Sequence, residues 1–285
     1  MTRGPMTSSP DPWHISDVDV DLHLELLGLE RSEPDLALLA ELHRRHVHTF
    51  PFANVDVLLG DHPGVAPATM SRRLLVERTG GYCFEHAQLF AATCESLGFT
   101  VVRRLGRVHS PVNTRTHMAV EVQLEGSRML CDPGFGLSIT GPLRMSDGAV
   151  RHEAHGEYSL HQGEAGGAET WELRRGGETA HVIDTLPVVP ADVRGGHVIT
   201  STDPDAGPFT HRLIVSRFTS EGHRSLADTS LTIRRAGRPT ERRELTPAQS
   251  VETVRELGVR LSPDRAARLR RTLEARAGDA AAASR

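Results

Sequence analysis

The hydrophobic period of this chain changes at Gly98-Phe99, and that change limits the folds open to it more than any other feature. Before it, apolar residues recur at helical spacing. Cys83, Ala87, Phe90, Cys94 and Leu97 fall on one helical face, and Gly98 suits the helix end. Upstream, Ser32 and Pro34 open a helix that runs through Leu39, Leu42 and His46. Val18 to Leu29 fits two templates. Val18, Val20, Leu22, Leu24 and Leu26 alternate as in a strand, whereas Val18, Leu22, Leu26 and Leu29 share a helical face. Gly28 as a terminator favours the helix. A short helix from about Ser71 is expected to stop before Gly80-Gly81.

From Phe99 to about Thr202 the chain breaks into short β-rich runs separated by Gly, Pro and polar turns. Residues 209–218 and 229–236 read as further strands, Thr246 to Arg276 as one or two helices, and the closing Ala-rich stretch as a frayed end. Helices first, strands second and a mixed segment last give an α+β class.

Composition removes several functions. A net charge of −4 argues against a nucleic-acid binder, whose groove needs a basic surplus. No apolar run approaches the roughly 20 residues that span a bilayer. Met1 to Pro12 is rich in Ser and Pro, lacks the apolar stretch of a secretion signal, and reads as a mobile tail. The expected location is the cytoplasm, with no membrane partner; nothing in the pattern fixes an oligomeric state. Every basic residue is arginine, which points to a GC-rich bacterial genome and removes lysine Schiff-base chemistry. The three cysteines are spaced as neither a disulfide framework nor a zinc site, and in a reducing compartment they are free thiols.

Cys83 differs from the other two. Gly80-Gly81 permits a tight turn that delivers Cys83 to a helix N-terminus, where unpaired N–H groups and the dipole favour a thiolate and an oxyanion. Cys94 and Cys131 each sit in an apolar pattern and read as core. A thiol nucleophile wants an imidazole base oriented by a carboxylate or amide. The chain has 16 histidines, so type alone selects none. His117 opens the strand His117–Leu124, with Met118, Val120, Val122 and Leu124 on the opposite side. With Gly126-Ser127 as the hairpin turn, Asp132 lies opposite Glu121 and projects to the face of His117. Four residues along a flat strand span roughly 13 Å, so a bulge, twist or bend at Pro133 must close the gap.

Other clusters carry less. Cys83, His86, His117 and Asp132 around a metal would be irregularly spaced for zinc. His152-Glu153-Ala154-His155 is one residue short of a zinc-protease pattern and reads as a solvated turn. Arg234-Arg235 and Arg268 to Arg271 read as solvated faces.

Thr79-Gly80-Gly81-Tyr82-Cys83-Phe84-Glu85 resembles the R-G-G-x-C-x-E segment of the arylamine N-acetyltransferases. Pro51-Phe52-Ala53-Asn54 resembles that family's P-F-E-N, and Thr116-His117 its histidine strand. Asp132-Pro133-Gly134-Phe135-Gly136 resembles its D-x-G-F-G element, and Thr200 to Phe209 its later S/T-x-x-P…F stretch. The resemblance implies a flexible tail over 1–15 and a helical domain over 16–98 carrying the nucleophile. A β-barrel domain over 99–205 would carry His and Asp, and an α/β lid would follow over 206–285, all around a cysteine-protease-like core. It implies a Cys83–His117–Asp132 triad working by ping-pong transfer of an acetyl group from acetyl-CoA to an aromatic amine or hydrazine, with no permanently bound cofactor. By matched position, Phe52, Tyr82, Val108, Phe135 and Phe209 would line the acceptor pocket, and Thr116 would meet the CoA end.

The family's arginine before Gly-Gly is Thr79 here, and the glutamate of P-F-E-N is Ala53. If those residues form an ion pair, both ends are lost together and no buried charge is orphaned. Three rival readings stand beside it: an amide synthase of the ansamycin macrolactam-forming type fed by an acyl carrier, a thiol hydrolase or transglutaminase-like enzyme, and a catalytically silent binding protein of the same fold.

Overall fold

The computed structural model describes residues 11–283. Of the tail expected over 1–15, residues 1–10 lie outside the described residues. From Asp11 the chain is already fastened: the Asp11 carboxylate accepts from Trp13 N and Ile15 N, and the Arg103 guanidinium lies 4.0 Å from the Trp13 ring centre.

Acidic caps start the first helices. Asp19 accepts from Leu22 N ahead of α1 (Val20–Leu27), and Asp35 from Leu38 N ahead of α2 (Leu36–Thr49). Gly28, at φ 64°, closes α1. Val18–Leu29 is thus helical, but its buried face is Val20, His23, Leu24 and Leu27 instead of the expected Leu22–Leu26 stripe. An apolar count could not find that face, because His23 belongs to it. Phe52–Ala53 then forms a two-residue strand, β1, followed by α3 (Val55–Leu58) and α4 (Pro67–Ser71). The turn Arg72–Glu77 continues α4 with wider π-type bonding, and Arg78, at φ 56°, ends it.

Helix α5 (Cys83–Ser96) is the axis of the helical part, with every residue from Cys83 to Cys94 buried. The stripe read from its sequence is only one of its buried faces. Helices α1 and α2 cover one side, and strands β2 (Thr100–Val108) and β3 (His117–Leu124) the other.

The β-rich segment adds β4 (Ser127–Cys131), β5 (Leu143–Arg144), β6 (Ala149–Glu153), β7 (Gly156–Ala165), β8 (Ala168–Arg175) and β9 (Glu178–Asp184). All join one antiparallel sheet of eight strands in the order β5-β4-β3-β2-β9-β8-β7-β6, and β5 returns beside β6 to make a near-closed barrel. Its interior is filled by Ala119, Leu130, Tyr158, Leu160, Trp171, Leu173 and Ile183. The mixture of helix and sheet bears out the α+β class.

The β3–β4 hairpin corrects one expectation. Leu124 pairs with Ser127, so the turn is Glu125-Gly126, with both φ values positive at 50° and 73°. That conformation belongs to a type I′ turn, whose twist matches the strands it joins. Cys131 therefore stands opposite Val120, and Asp132 follows toward Ala119 instead of Glu121. The face is preserved because side chains alternate with period two. The offset from His117 falls from four residues to two, or roughly 7 Å.

A second correction concerns the stretch before Thr202. Residues Pro190–Thr202 form helix α6, with Pro190 in its first turn. Gly195-Gly196 and the β-branched Val198, Ile199 and Thr200 weaken helix propensity, and packing overrides it. A Cβ at Gly196 would come within 2.8 Å of the Phe84 ring, so the helix needs glycine to lie against α5.

The remaining strands, β10 (Ile214–Thr219), β11 (Gly222–Ala227), β12 (Ser230–Arg234) and β13 (Glu241–Glu244), form a five-stranded sheet with β1 at its edge. Helices α7 (Pro247–Glu256) and α8 (Pro263–Ala283) cover it through Val251, Val254, Leu257, Leu269 and Leu273. The closing Ala-rich stretch continues α8 as far as Ala283. Strand β1 carries the Pro51–Asn54 segment from the helical part into this second sheet. Asn54 Oδ1 accepts from Ile214 N at 2.6 Å, and its amide donates to Phe209 O and Arg212 O. Among the described residues no helix is long and apolar enough to cross a membrane.

Candidate active site

Steric limits build the nucleophile turn. Gly80 sits at φ 70°, and a Cβ there would meet that of Ala53 at 2.8 Å. A Cβ at Gly81 would lie 2.8 Å from Glu85 Oε2. Glu85 accepts from Tyr82 N at 3.2 Å and so closes the first turn of α5 behind Cys83. Its other partners are Arg73 Nε, donating at 2.8 Å, and His62 Nε2 at 3.2 Å. Burial opposes the Glu85 charge, but His62 and Arg73 outweigh it and hold the carboxyl at about 2. Arg73 also bonds Asp56. With Ala53 and Thr79 in the family's charged positions, Arg73 still supplies Glu85 with a cation.

Cys83 is buried, with its Sγ 3.5 Å from Thr116 O. Gly134 presses against it: a Cβ there would lie 2.8 Å from the Cys83 Cα. His117 opens β3 opposite Gly106, and its ring packs edge-on to Phe135 at 5.1 Å. His117 Nε2 and Asp132 Oδ1 are 3.1 Å apart, within ion-pair reach though off the line of a good hydrogen bond. Such contacts commonly straighten when substrate binds. Burial works against charge on His117, yet Asp132 and the Cys83 sulfur beside it raise the imidazole to about 10. Burial also opposes the Asp132 charge; the His117 and His181 rings outweigh it and hold the carboxyl well below the usual range. The structure therefore brings Cys83, His117 and Asp132 together, and the shorter hairpin offset does what a bulge or bend was expected to do.

The other two thiols differ from Cys83 in their surroundings. Cys94 and Cys131 are fully buried, and burial pushes both up.

Two residues at the site escaped the sequence reading. Ser138 Oγ donates to Asp132 Oδ2 at 2.6 Å, and His181 Nε2 lies 3.1 Å from the same oxygen. Because a carboxylate only accepts, His181 carries its proton on Nε2. His181 lies on β9 opposite Val108, with its ring 4.6 Å from that of His117. Its strand parity faces it inward, but nothing in the sequence says that β9 pairs with β2.

A cavity of about 520 Å³ opens on Cys83 and His117. Phe52, Val108, Phe135, Phe209 and Thr116, all expected at the site, line it. Tyr82 does not. It is fully buried behind the turn, its hydroxyl bonded to His197 Nδ1 and its ring 5.6 Å from Phe84. The alternation that sends Cys83 toward the cavity turns Tyr82 away from it. The His152–His155 segment is also not wholly solvated. His152 is exposed, whereas His155 tucks against Phe218 at 4.9 Å and its Nε2 reaches Ser138 O at 2.9 Å.

The profile of a family described as N-acetyltransferase matches residues 35–265. An arylamine N-acetyltransferase of Mycobacterium tuberculosis is 31% identical over 235 residues, covering 79% of this chain and 83% of that protein. Among solved structures, the arylamine N-acetyltransferase of Mycobacterium abscessus superposes with a TM-score of 0.87 at 29% identity, covering 94% of this chain and 99% of that one. That of Mycobacterium marinum in complex with CoA superposes with a TM-score of 0.77 at 27% identity, covering 90% of this chain and 98% of that one.

Proposed function

The chain belongs to the arylamine N-acetyltransferase family, and on that premise we propose that it transfers an acetyl group from acetyl-CoA to the nitrogen of an arylamine or arylhydrazine through a thioester on Cys83. The observation that carries the reading is the buried Cys83–His117–Asp132 cluster at the wall of the 520 Å³ cavity. Acetyl-CoA acts as a co-substrate.

In the first half-reaction His117 takes the Cys83 thiol proton, and Cys83 Sγ attacks the thioester carbonyl carbon. The oxyanion is met by N–H groups at the start of α5. As the C–S bond to CoA breaks, the His117 imidazolium gives its proton to the departing CoA sulfur. In the second half, the acceptor nitrogen attacks the Cys83 thioester and surrenders a proton to the now neutral His117. The C–S bond to Cys83 breaks, and the thiolate–imidazolium pair is restored. Asp132 anchors the ring in both halves, and Ser138 and His181 hold Asp132.

Phe52, Val108, Phe135 and Phe209 offer flat apolar walls for an aromatic acceptor, with Thr116 beside the thiol on the donor side. A cavity of 520 Å³ falls within the range of small-molecule sites, which favours a small acceptor over a carrier-tethered macrolactam precursor. Intact-protein mass spectrometry tests the reading. Mixing with acetyl-CoA should add one acetyl group to the wild type and none to Cys83→Ala, and an arylamine should discharge it. A folded wild type that gains no acetyl group would refute the proposal.

A further inference from the structure

Behind the nucleophile turn runs a chain of three buried histidines that the chemistry above does not use. His23 on α1, His46 on α2 and His86 on α5 are all essentially inaccessible to solvent. His86 Nε2 lies 3.2 Å from Gly81 O and 3.3 Å from Pro51 O. His86 Nδ1 is 2.9 Å from His46 Nε2, His46 Nδ1 is 3.1 Å from His23 Nε2, and His23 Nδ1 is 2.7 Å from Thr93 Oγ1.

One end fixes the whole series. A carbonyl oxygen can only accept, so His86 must carry its proton on Nε2. A neutral His86 then offers a bare Nδ1, which requires His46 to donate from Nε2, and the same step requires His23 to do so. The chain ends on the Thr93 hydroxyl, which turns its proton to His23 Nδ1; its alternative acceptor is Leu89 O at 2.9 Å. Adding a proton to His46 or His86 would set donor against donor, and burial lowers all three rings, His23 to about 3.

The carbonyls gripped at the other end flank the site. Gly81 stands two residues before Cys83, and Pro51 precedes Phe52 of the cavity wall. Phe52 and Gly81 are themselves bridged, and Ala53 N donates to Gly81 O at 2.6 Å. His86 therefore ties the nucleophile turn to the neighbouring strand, one helical turn beyond the nucleophile. We propose that His86 is a positioning residue for Cys83, held in one tautomer by His46 and His23, and that this array sets the thiol's place beside His117. The proposal rests on Cys83 being the nucleophile.

Two measurements test it. In protein labelled with ¹⁵N-histidine, all three rings should appear at pH 7 as neutral Nε2–H tautomers. A charged ring or an Nδ1–H tautomer at any of the three would overturn the array. The second measurement is the rate of Cys83 alkylation by iodoacetamide, which needs no acyl donor. His86→Leu, which fills the space without the polar atoms, should slow it on the order of 10- to 100-fold, the scale of a misplaced reacting group. His86→Gln, which restores a donor toward the carbonyls and an acceptor toward His46, should recover most of that loss. An undiminished rate in His86→Leu, or equal losses in both variants, would refute the positioning role. If His86→Leu does not fold, the glutamine variant and the tautomers still decide. A protein that behaves as expected here but ignores acetyl-CoA would sink the acyl-transfer reading alone.

Discussion

His117 and the three histidines of the helical core lie against α5, all buried, with their proton affinities displaced in opposite directions. His117 is raised to about 10, whereas His23 in the helical core is lowered to about 3. Burial opposes charge in both places, so the difference comes from the partners, which for His117 are Asp132 and the Cys83 sulfur together; His181, which meets Asp132 without the thiol, stays lowered. His117 faces Asp132, a fully buried carboxylate that would be costly to leave uncompensated. His23, His46 and His86 face one another, a hydroxyl and two carbonyls, none of which carries a negative charge to offset a second proton. On the proposals above, the same side chain serves as the moving charge in one region and as a fixed neutral link in the other.

The most forceful way to break this contrast is Asp132→Asn, which keeps the shape and removes the charge. His117 should lose its raised affinity for a proton, and Cys83 acylation should fall on the order of 10³- to 10⁴-fold, the scale seen when a triad carboxylate becomes an amide. Stopped-flow measurement of acetyl-enzyme formation checks it; a loss below tenfold would mean that Asp132 is not what charges the ring.

The two regions should also fail at opposite ends of the pH scale. His23 titrates near 6.5 in the unfolded chain and at about 3 in the folded one, so between those values the unfolded state binds the extra proton. Its contribution is complete above pH 6.5 and is lost as the pH falls toward 3, on the order of 5 kcal/mol. His46 and His86, also lowered, act in the same direction. His117, at about 10 against 6.5, contributes fully below pH 6.5 and loses its share as the pH rises through 10. Urea unfolding from pH 7 down to pH 4 should show stability falling steadily, and less so in a His23→Phe variant. A flat profile would contradict neutral histidines in the helical core.

A smaller effect should follow from carrying the carboxylate across. Thr93→Asp places an acid where the Thr93 hydroxyl meets His23, a copy of the Asp132–His117 arrangement in the other region. His23 should become an imidazolium visible by ¹⁵N NMR at pH 7, at a cost of about 2–4 kcal/mol in stability from desolvating the pair. If His23 remains neutral beside the introduced, ionised carboxylate, the partner is not what decides.

How much of this could be read beforehand follows the same division. Cys83 stood out by its own surroundings, but its grouping with His117 and Asp132 rested on the resemblance to the family's motifs, since the residues alone left that pairing open. Gly80-Gly81 and the strand parity of His117 mark where they sit. The register was read one residue off at the turn, yet the face survived because β alternation repeats every two residues. Helix α6 was missed because its need for Gly196 arises from the Phe84 ring, a contact made across the fold. His181, His46 and His23 were illegible for a related reason. Among 16 histidines, a buried one differs from a solvated one only through its partners, and those lie on other elements.

Tyr82 shows the limit from the other side, since matching by motif assigned it to the acceptor pocket while the backbone turns it away. Its hydroxyl bonds His197 on α6, and its ring lies 5.9 Å from Phe209, so its route to the cavity runs only through a residue that lines it. Tyr82→Phe should therefore cost about 1 kcal/mol in stability for the lost hydrogen bond. The KM for an arylamine should stay within about twofold of the wild type, since no acceptor contact is removed. A large rise in KM with unchanged stability would return Tyr82 to the pocket. It would also mean that the turn carrying Cys83 moves when the acceptor binds, a freedom that the His86 grip on Gly81 and Pro51 is expected to deny.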